Sequence, residues 1–390
     1  MALAIVGCTT TKEIGGKPQD DAGGTEGGSE GGSESSESGD ESGTTTGPVE
    51  YDDVVEPGPE LAFARSSHRA VLLEDGTVFI GGGWNGEEYV TSVEIFRPEE
   101  NDVVPGGELL ESRPDTCAVR LLDGRVMMLG GRVATSEIWD PQTQSTVPGP
   151  SFENDVGYPM CVITSDGTVL VADSYVSGKG YLIERWRPGD EAFARVTTSV
   201  TELDYLGGHS AALLADDNRI LLIGGGVTYE GEDPPPPGTD YAQVWDIAAQ
   251  SYRRIEGWSD QGAVLALPSG DAIVFRNDQD EGLVAARFDG QSETLVDISP
   301  GIDAMSITMA SMRVDDVGVL AGGLELDEAG DVFHSDRVLR WDLGSGGLEQ
   351  IGTLGEPRSH GSSTRLQDGR IVIIGGATDD LPSKKIDVYH

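Results

Sequence analysis

Residues 65–97 read RSSHRAVLLEDGTVFIGGGWNGEEYVTSVEIFR. Arg65 and His68 precede an apolar run, Asp75-Gly76 interrupts it, a second run ends on Gly81-Gly82, and a third closes on Phe96. An Asp-Gly pair between apolar runs supplies the positive φ angles of a tight hairpin turn. The stretch therefore predicts short antiparallel strands. Residues 358–389 repeat the text as RSHGSSTRLQDGRIVIIGGATDDLPSKKIDVY, with Arg358, His360, Asp368-Gly369, Gly375-Gly376 and Tyr389 in the same order.

Five weaker copies lie between. Their turns fall at Asp123-Gly124, Asp166-Gly167, Asp217-Asn218, Ser269-Gly270 and Asp315-Asp316. Each turn is followed by a short, nearly continuous apolar run, which suits a strand buried on both faces. Each copy then closes on an aromatic: Trp139, Trp186, Trp245, Phe288 and Trp341. From Phe96 to Tyr389 the seven aromatics stand 43 to 59 residues apart, room for about four strands of ordinary length per repeat. This is the period of a propeller. The paired glycines recur at Gly130-Gly131, Gly224-Gly225 and Gly322-Gly323, but the third and fifth repeats carry Ala172-Asp173 and Arg276-Asn277 instead.

Across residues 49–390 these marks resemble the kelch-repeat β-propellers. The resemblance implies an all-β, seven-bladed ring with four antiparallel strands per blade. Repeat seven ends on its third strand, and Tyr51-Asp52-Asp53-Val54-Val55 matches Asn101-Asp102-Val103-Val104, the fourth strand of repeat one. Residues 50–56 are therefore expected to supply the outer strand of the last blade, so that the N-terminal strand closes the ring and leaves no open edge.

Residues 9–48 are a different kind of chain. From Thr9 to Gly47 there are eleven glycines, nine acidic residues and two lysines, a composition that cannot bury enough apolar surface to offset ordering. It reads as a flexible acidic tether. Residues 1–8 end in Ile5-Val6-Gly7-Cys8, which resembles the end of a bacterial lipoprotein signal with Cys8 as the lipidated residue. The apolar stretch is shorter than a whole signal peptide and lacks a basic start. The expectation is a lipid-anchored protein of the bacterial cell envelope, periplasmic or surface-exposed, and monomeric.

Cys117 and Cys161 lie in the first strands of neighbouring repeats, at positions of opposite parity relative to their turns. In an oxidising compartment they could pair across two blades; they fit equally as two buried thiols.

The chain carries a net charge of −42 with pI near 4.2, and the tether's nine acids account for little of it. Nucleic acid, which demands phosphate-neutralising basic patches, is excluded as a partner. Five histidines and three cysteines without compact ligand spacing give no transition-metal centre. No cofactor is expected. Asp278 to Glu281 and Glu325 to Asp331 are calcium candidates without the spacing of a complete calcium loop.

Strand alternation places the first-to-second and third-to-fourth turns on one face of the ring and the second-to-third and fourth-to-first connections on the other. The longer insertions, Trp84–Thr91, Tyr229–Tyr241, Asn277–Gly282 and Leu324–Asp336, all belong to the second face. Loops on a rigid scaffold are where binding residues concentrate. Candidates there are Arg65, Arg113 and Arg358, whose guanidinium groups could grip anionic groups or brace the blades. Trp84, Tyr89, Tyr175 and Tyr229 offer rigid amphipathic rings, and Arg276 and Asn277 stand where the repeat calls for glycine. No catalytic group separates from the acidic background. Among related propellers the galactose oxidases hold copper with two tyrosines and two histidines; here Tyr389 is the repeat aromatic and His390 ends the sequence, which disfavours that chemistry. The sequence reads as a binding or scaffold module for a glycan or protein partner, with a carbohydrate-active enzyme (epimerase, lyase or oxidase-like) on the same face as the alternative.

Overall fold

The computed structural model describes residues 51–390 apart from short internal stretches, the longest being 174–181, 197–209 and 224–240. The described residues contain no helix. They form seven separate antiparallel sheets whose strands follow one another in chain order, a seven-bladed β-propeller. Blade one is built from Arg69–Leu72, Val78–Gly81, Ser92–Arg97 and Asp102–Glu108, counted from the innermost strand outwards. Blades two to six begin at Cys117, Met160, Ser210, Gly262 and Met305. Blade six carries an extra short strand, Met305–Ser306, paired to the same second strand as Met309–Met312.

The apolar runs have the character they do because each blade is covered on both sides. In blade one Val78 and Ile80 pack against Ile374 and Val388 of blade seven, while Phe79 between them turns the other way onto Met128 and Trp139 of blade two. Successive residues of a strand point to opposite faces, so a strand between two blades has no polar side to keep. The seven repeat aromatics are all buried. Each reaches back into the preceding blade: Phe96 joins the cluster with blade seven, Trp139 that with blade one, and Trp341 that with blade five. Trp139 also donates its indole N–H to the Gly106 carbonyl on the outer strand of blade one, at 2.7 Å. The parity argument for Cys117 and Cys161 has the same basis. Both lie in one cluster between blades two and three, and the structure joins them as a disulfide with Cα atoms 6.0 Å apart.

The paired glycines end the regular ladder. Gly82, Gly83, Gly130, Gly131, Gly375 and Gly376 all have positive φ, a conformation open to glycine at no steric cost. Space demands them too. A Cβ on Gly375 would lie 2.5 Å from the Arg65 carbonyl of the next blade, and one on Gly376 2.6 Å from the Ser359 carbonyl of its own. Where glycine is missing the ladder continues. In blade five Arg276 and Asn277 pair with Val284 and Leu283, and the strand runs on to a bridge between Asp278 and Gly282. Of the segment expected as a loop over 277–282, the described residues Asn277, Asp278 and Gly282 are therefore strand. The same correction applies in blade six. A bulge at Gly322-Gly323 lets Val317–Leu326 and Val332–Asp342 extend as a hairpin beyond the other blades, with Leu324 opposite His334 and Leu326 opposite Val332.

The ring closes through the N-terminal strand, but that strand is Val55–Glu60 rather than residues 50–56. Asp53 takes the left-handed turn position that Asn101 holds in blade one (φ 54° and 51°), and Val55 opposes Tyr389 as Val103 opposes Phe96. Sequence had aligned the match one residue early and stopped it at Pro57-Gly58-Pro59. Proline is tolerated here because the strand is an edge, with no outer neighbour needing its N–H. Asp53 fixes the join: its carboxylate accepts the Tyr389 hydroxyl at 2.5 Å and pairs with Arg340 of blade six, while its amide donates to His390.

Removing residues 51–60 strips blade seven of its outer strand and leaves Lys385–Tyr389 as an open apolar edge. We expect loss of the cooperative thermal transition followed by circular dichroism, with aggregation of the truncated chain; an unchanged transition would show that the ring does not depend on this strand.

Candidate functional site

The three arginines considered for ligand contact are the first correction. Arg65, Arg113 and Arg358 are fully buried, and their guanidinium groups are engaged inside the protein, although the Nε of Arg65 and of Arg358 meets no acceptor among the described residues. Arg65 pairs with Glu94 at 2.6 Å and donates to the carbonyls of Gly82 and Ser92, each at 3.1 Å. Arg113 pairs with Glu137 and donates to the Gly130 and Thr135 carbonyls at 2.7 and 2.9 Å. Arg358 pairs with Asp387 at 2.5 Å. In every case the second carboxylate oxygen accepts an amide from the loop that bears the arginine: Ala62 onto Glu94, Leu110 onto Glu137, Gly355 onto Asp387. The unit is a clamp that pins the connection between two blades onto the third strand of the second. The carboxylate sits two residues before the repeat aromatic each time, which was the legible signal. Burial pulls Arg65 below its ordinary value and the Glu94 carboxylate opposes that.

The repeated histidines are likewise structural where they are described. His68 is buried, its imidazole 2.8 Å from the Ser362 hydroxyl of blade seven, and burial holds it well below its usual value, with Arg65 and Arg69 adding to the effect. His360 sits in a left-handed turn against the Ser359 hydroxyl. His209, Tyr175 and Tyr229 lie outside the described residues, as do Cys8 and the tether. Arg276 and Asn277 are placed in a strand, but their side chains are not described.

Two sequence candidates do come together. Trp84 and Tyr89 face each other across the small hairpin at the top of blade one, with ring centroids 4.9 Å apart. Backbone bonds in both directions tie Trp84 to Ser66, each 2.9 Å, and Asn85 caps the turn by accepting the amides of Glu87 and Glu88 at 2.8 Å. The turn is thus preformed. Beside it stands the connecting loop of blade seven: a Cβ on Gly86 would lie 3.0 Å from the Leu381 side chain and 3.2 Å from Pro382. Thr378 folds that loop, its hydroxyl donating to the Leu381 carbonyl at 2.6 Å, and leaves Leu381 62% exposed. The extended hairpin of blade six reaches the same loop from the other side, where His334 contacts Asp379 at 2.6 Å. Its Val332, on the same face of the strand as His334, is 63% exposed, Phe333 on the opposite face is 39% exposed, and Tyr89 on blade one is 40% exposed.

Blades six, seven and one therefore share a strip of exposed apolar and aromatic side chains on the connection-rich face. Solvent-facing large apolar groups gathered on adjoining elements mark interaction sites rather than packing. Sequence reasoning found Trp84 and Tyr89 but missed Val332, Phe333 and Leu381. Val332 and Phe333 fall within the Leu324–Asp336 insertion that sequence places on this face without singling them out, and only the extended hairpin shows that they stay exposed.

No group of three metal-ligating side chains is assembled among the described residues. In the acidic blade-six turn, Asp327 accepts the Asp331 amide at 2.8 Å. Its carboxylate thus serves the turn itself. No helix among the described residues is long and apolar enough to cross a membrane.

No family profile matches the chain, and no curated protein does. Solved structures match the fold. One of them is a fungal alcohol oxidase described as a novel enzyme with catalytic diversity among the AA5 family, in complex with copper. It superposes with a TM-score of 0.64 at 13% identity, covering 86% of this chain and 76% of that one. At that identity the likeness shows the propeller architecture alone. Among the described residues the donor set does not fit a copper centre of the oxidase kind. Among the described histidines, His68 is spent on Ser362 between blades, His334 on Asp379 and His360 on Ser359, and His390 lies near Glu56 at the closing strand.

The clamps and the buried histidine give two tests. Glu137→Gln removes the buried countercharge of Arg113 and leaves it the half-exposed Glu111 at 3.2 Å, which should cost about 3 kcal/mol in urea denaturation, while the double variant Arg113→Met/Glu137→Leu should regain most of it. His68 stays neutral in the fold while the unfolded chain takes a proton, so its contribution is full above about pH 6.5 and is lost as pH falls below it. The slope should reach about 1.4 kcal/mol per pH unit. His68→Gln should flatten the difference between stability at pH 7 and at mildly acidic pH; an unaltered profile would mean that the imidazole charges freely in the native state.

Proposed function

We propose that this protein is a kelch-type binding module that recognises a glycan or protein partner through the connection-rich face of its propeller, without catalysis of its own. The observation that carries the reading is the exposure of Tyr89, Leu381 and Val332 on adjoining loops of three consecutive blades, with the half-buried Trp84 packed on Tyr89. The clamps of Arg358 and Arg65 brace two of these blades, seven and one. A rigid support lowers the ordering cost of binding. Arg65, Arg113, Arg358, His68 and His360, the described arginines and histidines near the channel mouth, are occupied in holding the fold.

The setting completes the proposal. The closing strand begins at Asp53, beside His390, on the face of the tight turns. The preceding acidic chain, with Cys8 as the lipid attachment point, therefore joins the ring opposite the strip. A module held at a bacterial envelope in this way presents its apolar strip outward.

Purified protein should bind saturably to at least one member of an array of envelope polysaccharides, glycans and proteins, and Trp84→Ala or Tyr89→Ala should weaken that binding about tenfold or more. The same hits incubated for product formation decide the enzymatic alternative: turnover that survives purification would replace this reading with a carbohydrate-active enzyme.

A further inference from the structure

Charge and surface chemistry on the strip narrow the partner. The loops that form it expose Glu87, Glu88, Asp331, Asp379 and Asp380 around the apolar side chains, and residues 84–89, 326–335 and 377–382 contain no lysine or arginine. With a chain charge of −42, polyanions, including anionic polysaccharides, are repelled at a distance and opposed at contact. The apolar centre is mixed in kind. Leu381 and Val332 are the most exposed members and are aliphatic; branched aliphatic groups offer no flat face for a sugar ring, but they do match aliphatic and aromatic side chains of another polypeptide. The elements are preformed by short backbone and side-chain bonds at Asn85 and Thr378, so little order need be gained on docking. The contacts of Gly86 with Leu381 and of His334 with Asp379 make the strip continuous across three blades, the shape of an extended segment rather than of one small ligand.

We infer that the strip takes a cationic polypeptide segment with apolar side chains between its lysines or arginines, the apolar groups seating on Leu381, Val332 and Tyr89 and the basic groups on the surrounding carboxylates. This deepens the binding-module reading and rests on it. Steering by the acidic field sets the rate of encounter, and the apolar seats set the residence time.

The test uses the full chain and three sets of short synthetic peptides: one of lysine with leucine and phenylalanine, one with the lysines replaced by glutamate, and one with the apolar residues replaced by serine. A neutral glycan array is run in parallel. Fluorescence anisotropy at physiological salt should show saturable binding of the first set, at least about tenfold tighter than either control. Val332→Ser and Leu381→Ser should each weaken it several-fold, and because both side chains are exposed the thermal transition should stay in place. Glu87→Gln/Glu88→Gln should slow association and reduce its salt dependence. Equal binding of the lysine–serine peptides, or indifference to Val332→Ser and Leu381→Ser, overturns the inference, since the attraction would then be charge alone. A glycan hit lost on Tyr89→Ala with no peptide binding also overturns it while leaving the module reading intact; silence in both arms overturns both.

Discussion

A guanidinium group taken out of water survives only if a carboxylate and several acceptors replace its hydration, and this requirement organises the ring. Each clamp arginine arises in the connection between two blades and bonds the third strand of the blade it enters, together with the glycine turn for Arg65 and Arg113 and the Ile373 carbonyl of the second strand for Arg358. Arg65 thus needs Glu94, Ser92 and the Gly82 carbonyl together. Its own carbonyl accepts the amide of Gly376 in the blade before, as the Arg358 carbonyl accepts that of Gly323. Side chain and backbone of one residue therefore serve two neighbouring blades, and the paired glycines are what allow the backbones to come so close. Had either glycine carried a side chain, the clamp would be pushed out of reach of its acceptors.

Most of this was legible. The turns at Asp75-Gly76 and Asp368-Gly369, the glycine pairs and the seven aromatics are local devices with fixed backbone or packing demands, so they survive as text. The closing strand was legible in kind and displaced in detail, because Pro57-Gly58-Pro59 reads as a stop everywhere except at an unpaired edge. The role of Arg65, Arg113 and Arg358 was open in sequence, since an arginine at a channel mouth looks the same whether its partner is a ligand or a glutamate thirty residues away. The strip was half legible. Trp84 and Tyr89 announce themselves by type and loop position. Val332, Phe333 and Leu381 matter because of what fails to cover them, and exposure is a property of the whole ring rather than of any window of residues.

Those facts give the propeller a division of labour. Its repeated polar features, among the described residues, are inward and structural, while its exposed apolar groups sit on an irregularity: one hairpin too long for its blade, folded beside two short loops stiffened by Asn85 and Thr378. In the proposed binding role, the acidic surface around them would set which charges can approach the apolar side chains, with an effect reaching further than any contact.

The closing strand also determines how the ring carries mechanical load. A pull delivered through the chain before Tyr51 acts along the axis of Val55–Glu60, which lies antiparallel to Lys385–Tyr389. The interstrand bonds are then stretched in shear, all sharing the force, rather than peeled open one after another. The pull is received by blade seven, the middle of the three blades that bear the exposed strip. Tension between a partner on that strip and the preceding chain would pass through a single sheet, leaving the opposite side of the propeller unloaded.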